Sequence, residues 1–154
     1  MGMGMLCTLY ALPSEDALRL VSGDSEFHPR LRQSCQLDKA WGAVHYFLSG
    51  SGDMSFRNPR PEDFLGSGQI LEHISEHAAV HMPEAVIDFA TKLETLSSDD
   101  LIARFDAAQM NRLRVYGRPW DESGRGYVLQ FLDKFRMFVL SAAEQKLAVL
   151  IVVC

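Results

Sequence analysis

Residues 147–154 read LAVLIVVC, and this stretch decides the fold class. Its residues are nearly all Val, Ile and Leu, with no polar residue at alternate positions, which is typical of a β-strand buried on both faces. The run has eight residues, whereas a helix needs ~20 to cross a bilayer. We therefore predict an interior strand at this position.

A second apolar run lies near the other end of the chain. Residues 3–12 are mostly apolar, contain the strand-favouring Thr8 and Tyr10, and end at Pro13, so they predict a strand. Between the two runs the sequence carries mainly helical patterns. This arrangement predicts an α+β fold: a single domain over residues 1–154, with a small sheet that includes the neighbouring N- and C-terminal strands and is packed with several helices.

Helix starts are marked by residues that satisfy free backbone N–H groups. Ser97 with Asp100 three residues later forms an acidic variant of the capping box, and Asp106 with Gln109 repeats this spacing. Four cap or first-turn positions are predicted: Ser14, Pro83, Ser97 and Asp106. The longest helix is predicted over residues 127–146, with a broad apolar face that is typical of a core helix.

The stretch LDKAWGAVHYFLSG, residues 37–50, predicts the second helix. Apolar residues recur at the i, i+4, i+7, i+11 spacing of one stripe over residues 37–48, and Gly50 supplies a stop. On such a helix Asp38 and His45 lie on one side but two turns apart, about 10 Å along the axis. A general base needs its carboxylate within hydrogen-bond reach of the imidazole. We therefore interpret His45 as a structural histidine.

A binding pocket is a second interpretation of this helix. One face of the helix, the Gly- and Ser-rich loop predicted at residues 49–68 and the loop YGRPWD at residues 116–121 would surround a cleft. Polar and aromatic side chains on loops held by a rigid scaffold are typical of ligand sites. The candidate pocket comprises Asp38, Trp41, His45, Ser55, Arg57, Tyr116, Trp120 and Asp121. In the alternative, which we prefer, Tyr116 and Trp120 only seal their loop over the core.

Three histidines are spaced by four residues in the motif HISEHAAVH, which begins at His73. On a helix His73 and His77 would lie on one face, and two imidazoles at this spacing can bind one transition-metal ion. His73 and His81 would be ~12 Å apart on such a helix. Met82 also favours an extended conformation because a proline follows it. A metal site at His73 and His77 is therefore the less favoured hypothesis, and we predict no cofactor.

The composition argues against several classes of partner. The formal net charge is −5, whereas nucleic acids and anionic membranes are bound by electropositive surfaces. The three cysteines are too scattered for a zinc motif and fit a reducing compartment. The first residues carry no basic signal region. We expect a cytoplasmic protein that binds neither nucleic acid nor membrane, and the oligomeric state stays open.

The motifs along the chain resemble those of one family. They are, in order, MGM at the start, LDKAW with a later histidine and LSG, then FLGSG, RFDAAQM and VYGRPWD. A closing amphipathic helix and an apolar terminal strand follow. This pattern resembles the YfbM-like family, bacterial proteins without an established function, over nearly the whole chain. The resemblance implies an α+β fold and assigns no catalytic residue.

Two functions fit these observations. The favoured hypothesis is non-catalytic binding of a protein partner or a small molecule, since the sequence contains no nucleophile elbow and no phosphate-binding loop. The acidic surface would suit a basic protein partner. The alternative is a small hydrolase with His45 as general base, Asp38 or Asp121 assisting, and Tyr116 or Arg57 placing the substrate.

Overall fold

A computed structural model of the protein describes residues 5–24, 26–52, 63–75, 77–117 and 119–154. The strands in this part of the chain are β1 Cys7–Leu12, β2 Gln33–Asp38, β3 Gln69–Ile70, β4 Ala78–His81 and β5 Ala148–Val153. They form one sheet in the order β2–β1–β5–β4–β3, and all neighbouring pairs are antiparallel. The sheet therefore places the last strand of the chain at its centre.

β5 forms the interior of the sheet, as its composition predicts. Ile151 lies opposite Leu9 of β1 on one side and opposite Ala79 of β4 on the other. All three side chains are fully buried. A strand covered on both faces has no position at which a polar residue is favoured. The prediction that the terminal strands are neighbours in an α+β sheet is confirmed.

The helices of the described residues are α1 Ser14–Val21, α2 Trp41–Ser49, α3 Pro83–Glu94, α4 Ser98–Ile102, α5 Ala107–Arg112 and α6 Gly124–Glu144. α6 packs against α3, α4 and β2, and its buried stripe includes Leu132, Phe135 and Val139. A smaller apolar cluster under α1 contains Leu12 and Leu150 on the other face of the sheet. In the described ranges no helix combines the length and apolar character that crossing a membrane requires.

The predicted second helix starts in the wrong place, because its first two residues belong to β2. Leu37 and Asp38 end the strand, and α2 begins at Trp41. Cys35 and Leu37 are buried while Gln36 between them is exposed, which is the period-2 pattern of a strand. Leu37 also fits the apolar helical spacing of the following residues. The sequence pattern therefore predicts a helix at a position where the strand ends. Asp38 consequently occupies a strand end and not a helix face.

The predicted helix caps are mostly confirmed. The Ser97 hydroxyl accepts the backbone N–H of Asp100 at 3.0 Å, and the Asp100 carboxylate accepts the backbone N–H of Ser97 at 2.9 Å. Asp106 caps α5 through its carboxylate. The prediction for Ser14 is wrong by one residue, because Pro13 occupies the cap position and makes no side-chain hydrogen bond there.

The loop predicted at residues 49–68 is described only at its two ends. Ser55 and Arg57, two of the candidate pocket residues, lie outside the described residues. Towards the end of the loop, Phe64–Gly66 form a buried turn of 3-10 helix. The buried turn packs against α2, so this part of the predicted loop contributes to the core.

Candidate functional site

A cleft joins two of the three segments that the sequence assigns to a pocket, namely residues 37–50 and 116–121. Its volume is about 310 Å³, and its lining residues are Lys39, Gly117, Pro119, Trp120, Asp121, Ser123, Gly124 and Tyr127. Lys39 directly follows β2, Gly117 and residues 119–121 belong to the connecting loop, and the last three lie at the start of α6. Trp120 and Asp121 are candidates from the sequence, and the other lining residues are new.

The turn after β2 brings Lys39 to the cleft. Asp38 has a φ of 50°, in the left-handed region, where the short polar side chains of Asp and Asn are tolerated better than most. This conformation ends the strand and directs the next residue away from it. The Asp38 carboxylate then accepts a hydrogen bond from the Tyr127 hydroxyl at 2.8 Å. The bond ties the end of β2 to the first turns of α6.

The Tyr127 hydroxyl is held in its protonated form. Burial is the main cause, and the bond to Asp38 adds to it, so that together they raise the pKa of Tyr127 to about 12. At neutral pH this side chain therefore donates a hydrogen bond to Asp38, while its oxygen accepts from the backbone N–H of Lys39 and keeps one further lone pair. It serves as a hydrogen-bonding group at neutral pH rather than as a base.

The indole of Trp120 is fixed by the backbone and side-chain bonds around it. The Asn111 amide accepts the backbone N–H of Trp120 at 2.7 Å and donates to its carbonyl at 2.8 Å. The indole N–H donates to the carbonyl of Val115 at 3.1 Å. The ring meets the Phe105 ring edge to face, at a centroid distance of 6.1 Å. Trp120 is 8% exposed, so it forms a rigid wall of the cleft.

Gly117 allows the loop to lie directly against this indole. Its φ is 104°, a conformation that side chains rarely adopt, and a Cβ atom there would lie 2.7 Å from the Trp120 ring. The same atom would lie 3.4 Å from the carbonyl oxygen of Lys39. Only glycine therefore lets the loop pass between the indole and the end of β2.

Asp121 organises the start of α6. Its carboxylate accepts the backbone N–H of Ser123 at 2.9 Å and also the hydroxyl of Ser123. These bonds lower the pKa of Asp121 below its usual range, since they stabilise the charged form. Both bonds end on the same oxygen of the exposed Asp121 carboxylate, so part of its acceptor capacity is used inside the protein.

Trp41 and Tyr116 form a separate stack beside the cleft. Their ring centroids are 4.6 Å apart and their planes differ by 19°. The Trp41 indole donates to the carbonyl of Met5 at 3.0 Å, and the backbone N–H of Met5 donates to the Tyr116 hydroxyl. Gly42 permits this contact, because a Cβ there would lie 2.7 Å from the backbone oxygen of Tyr116. These two aromatic residues hold the N-terminal segment in place and do not line the cleft.

The structure does not bring Asp38 and His45 together. His45 lies inside α2, is 1% exposed, and its Nε2 is 3.4 Å from the Ser49 hydroxyl. It is absent from the residues that line the cleft. Asp38 bonds to Tyr127 instead. The hydrolase hypothesis names Asp38 or Asp121 as the group that assists His45. Asp38 lies in different surroundings from His45, and Asp121 lines the cleft whereas His45 does not.

The three histidines at residues 73–81 do not share a helix. His73 lies exposed in a turn after β3, and His77 lies exposed just before β4. His81 is the last residue of β4 and is buried. The i, i+4 argument for a chelating pair at His73 and His77 therefore does not apply. Among the described residues no group of three His, Cys, Asp or Glu side chains is placed to hold a metal ion.

His81 has a structural role beside Phe64. Its ring stacks on the Phe64 ring at a centroid distance of 4.3 Å, and its Nε2–H donates to the Phe64 carbonyl at 2.8 Å. A carbonyl only accepts, so the proton is on Nε2. Burial lowers the pKa of His81, because charge is costly away from water. The folded protein therefore holds this imidazole neutral.

Acidification from pH 7.5 to pH 5.5 is expected to reduce the free energy of unfolding partly through His81. In the unfolded chain the ring titrates near its ordinary value of 6.5, so below that pH the unfolded state binds the proton first. The contribution is complete above pH 6.5 and is lost as the pH falls towards the lowered pKa. In urea titrations, His81→Phe should therefore lose less stability on acidification than the unmodified protein.

The control for this experiment is the exposed histidine of the same segment. His73→Gln should lose as much stability between pH 7.5 and pH 5.5 as the unmodified protein. An equal loss for His81→Phe would mean that His81 contributes nothing to the pH dependence.

Three polar residues of the cleft region escaped the sequence-based prediction. Lys39 lies within the predicted second helix, and a lysine on the exposed side of a helix does not by itself indicate a binding site. Tyr127 was assigned to the start of a core helix, and its hydroxyl points instead to Asp38. Asn111, which fixes Trp120, is a polar residue within a short helix. Its partner Trp120 is nine residues away. This spacing matches neither the helical nor the strand periodicity, so the sequence pattern does not indicate the contact.

Comparisons with known proteins agree with this fold. A family model described as a domain of unknown function, DUF1877, matches residues 3–152. The crystal structure of YfbM, a protein of unknown function from Escherichia coli, is similar with a TM-score of 0.66 and 18% sequence identity, over 97% of this chain and 99% of that chain. No curated protein matches the chain. The similarity to YfbM extends to the fold and assigns no ligand. The chain belongs to the DUF1877 family, and its resemblance to YfbM-like proteins is confirmed.

Proposed function

We propose that the protein binds a small organic anion, without transforming it, in the cleft formed by Lys39, Trp120 and Tyr127. The observation that carries the proposal is the juxtaposition in one cleft of about 310 Å³ of an ammonium group, a fixed indole and a hydroxyl oxygen. Ligand sites are typically clefts of roughly 300–1,000 Å³ with apolar walls and a few placed polar groups.

The lining residues define the chemistry of the ligand. The exposed ammonium of Lys39 attracts a carboxylate or similar anion. The ring of Pro119 and the edge of Trp120 provide an apolar wall for a flat or aliphatic part. Tyr127 donates a hydrogen bond to Asp38, and the backbone N–H of Lys39 bonds to the Tyr127 oxygen, so one lone pair remains to accept an N–H or O–H from the ligand. The preferred ligand is therefore a small amphipathic anion that also carries a hydrogen-bond donor.

Binding is favoured over catalysis by the protonation states at the cleft. General acid–base catalysis is efficient when the pKa of the group lies near the working pH. The pKa of Tyr127 is raised to about 12, and hydrogen bonds from Ser123 lower the pKa of Asp121. Both groups are therefore held in one protonation state at neutral pH. They orient a ligand better than they exchange protons with it.

Lys39→Met is expected to weaken binding of an anionic probe on the order of tenfold, because it removes the charge that pairs with the carboxylate. The probe is indole-3-acetate, and its neutral amide, indole-3-acetamide, is the matched comparison. The dissociation constants are measured by calorimetry and by ligand-observed NMR. Tyr127→Phe should weaken binding of both probes, since it removes the acceptor for their ring N–H.

The control is Lys134→Met, an exposed lysine of α6 that does not line this cleft. It should leave the affinity of both probes unchanged. Equal binding of the acid and the amide to the unmodified protein, or an unchanged affinity in Lys39→Met, would contradict an anion site at Lys39.

A further inference from the structure

β2 lies at one edge of the sheet. In the described part of the chain, β1 is the only strand that pairs with it. An edge strand presents backbone N–H and C=O groups that can pair with another extended chain. The opposite edge strand, β3, has two residues, whereas β2 has six and contains no proline. β2 is therefore the edge at which a further strand has room to pair.

A groove of about 580 Å³ runs beside β2. On the strand side its lining residues are consecutive: Gln33, Ser34, Cys35 and Gln36. Successive side chains of a strand point to opposite faces of the sheet. Four consecutive residues can line one groove only if that groove follows the edge of the strand. The space next to the unpaired backbone is therefore open over most of β2.

One face of α6 forms the other wall of this groove. Its lining residues are Lys134, Met137, Phe138 and Ser141, at the i, i+3, i+4, i+7 spacing of one helical stripe. Met137 is 72% exposed, whereas Phe138 is buried at the base of the wall. Gln33 donates its amide to the Ser141 hydroxyl at 3.2 Å and connects the two walls near one end.

We infer that the groove between β2 and α6 binds an extended acidic peptide segment of a protein partner as an additional strand. The unpaired edge selects an extended backbone, because only a strand matches its row of donors and acceptors. The exposed side chain of Met137 on α6 is flexible and apolar, so it can adapt to an apolar side chain of the bound peptide. Among the described residues that line the groove, Lys134 is the one with a charged side chain, so the groove presents a positive charge to a partner on a chain of net charge −5.

The spacing of the wall residues specifies the peptide further. Lys134 and Met137 are three residues apart, about 4.5 Å along the helix axis. Side chains on one face of an added strand are two residues apart, about 6.8 Å, and the flexible lysine side chain spans the difference. The peptide should therefore carry an acidic residue and an apolar residue two positions apart, both facing α6.

A phage-displayed library of random octapeptides, selected on the immobilised full chain, tests this inference. We expect enrichment of sequences with an acidic and an apolar residue two positions apart. A selected peptide is then synthesised, and its dissociation constant is measured by calorimetry. Lys134→Met should weaken its binding about threefold to tenfold, whereas Lys92→Met on the exposed side of α3 should leave the affinity unchanged.

Backbone methylation separates strand addition from other modes of binding. Every second amide of an added strand points towards β2. N-methylation of that alternate set should weaken binding at least about tenfold, because each methyl group removes a backbone hydrogen bond to β2. Methylation of the other set should have a much smaller effect. Equal effects of the two sets would overturn the inference.

Three further results would also overturn it. The first is the absence of any enriched motif. The second is an affinity that Lys134→Met leaves unchanged. The third is a homodimer in sedimentation experiments whose β2 amides are protected from hydrogen exchange, since a second copy of the chain would then occupy the groove.

Discussion

Gly42→Ala is expected to lower the free energy of unfolding by about 1–3 kcal/mol, the usual cost of adding a methyl group to a filled space. The new Cβ atom would lie 2.7 Å from both the Cβ and the backbone oxygen of Tyr116. Backbone atoms cannot rotate away as a side chain can, so α2 and the loop that carries Tyr116 must separate. Urea unfolding followed by circular dichroism measures the loss.

The same substitution should also disturb the stack of Trp41 on Tyr116. That stack holds the backbone of Met5 from both sides, and Tyr116 directly precedes the cleft residue Gly117. We therefore expect Gly42→Ala to alter the indole fluorescence of the folded protein. A variant with unchanged stability and unchanged fluorescence would show that α2 and the loop are not in contact at Gly42.

Gly126→Ala is the matched control for this experiment. Gly126 lies within α6, and a Cβ atom there would meet no described atom beyond its neighbours and the backbone of its own helix within 4 Å. Alanine is a better helix former than glycine by about 0.5–1 kcal/mol. The control variant should therefore be slightly more stable than the unmodified protein. The opposite signs of the two effects distinguish close backbone packing from a general intolerance of alanine at glycine positions.

Asn111→Ala is expected to lower the free energy of unfolding by about 1–3 kcal/mol and to weaken binding at the cleft. The amide of Asn111 satisfies both the N–H and the carbonyl of Trp120. Removing a partner and leaving polar groups unsatisfied away from water costs ~1–3 kcal/mol. The loop that positions Trp120 should then sample other conformations. Urea titrations and indole-3-acetate calorimetry report the two effects separately.

Two variants sharpen this prediction. Asn111→Asp keeps the oxygen that accepts the Trp120 N–H and loses the donor to its carbonyl, so its stability should lie between that of Asn111→Ala and the unmodified protein. Gln130→Ala, at an exposed position of α6, should change stability by less than about 0.5 kcal/mol. If Asn111→Ala is as stable as Gln130→Ala, the amide does not hold the loop.

The parts of the fold that were predictable are those in which burial alone determines composition. β5 must be apolar at every position because both faces of the sheet are covered. The caps at Ser97 and Asp106 were predictable because a free N–H group at a helix start has few alternative partners. In both cases the cause lies within a few residues of the feature.

β2 was missed because two periodicities overlap at its end. Leu37 belongs to the strand, yet it also continues the apolar stripe of α2, so the longer pattern masked the shorter one. β4 was missed because His77 and His81 suggested a helical spacing, whereas a strand places residues four apart on one face as well. Neighbouring strands decide between such patterns, and they lie far away in the sequence.

The candidate site was predictable in outline and not in detail. The segments that contain Asp38 and Trp120 do meet at one cleft. Tyr116 and Trp41 instead hold the N-terminal segment, and His45 is buried in its helix. A polar side chain on an amphipathic segment can contact either a ligand or another part of the protein. The sequence pattern is the same in both cases. The tie between Tyr127 and Asp38, 89 residues apart, could be found only from the folded chain.

The position of β5 has a consequence for the order in which the protein is assembled. β1 and β4 are both synthesised long before residues 148–153, yet neither can pair with the other, because the space between them belongs to β5. In the folded sheet the inner edges of β1 and β4 both pair with β5, so we expect these edges to stay without their native partner until that stretch has left the ribosome. Completion of the sheet therefore requires residues 148–153, and we expect the chain that still lacks them to be the more aggregation-prone form.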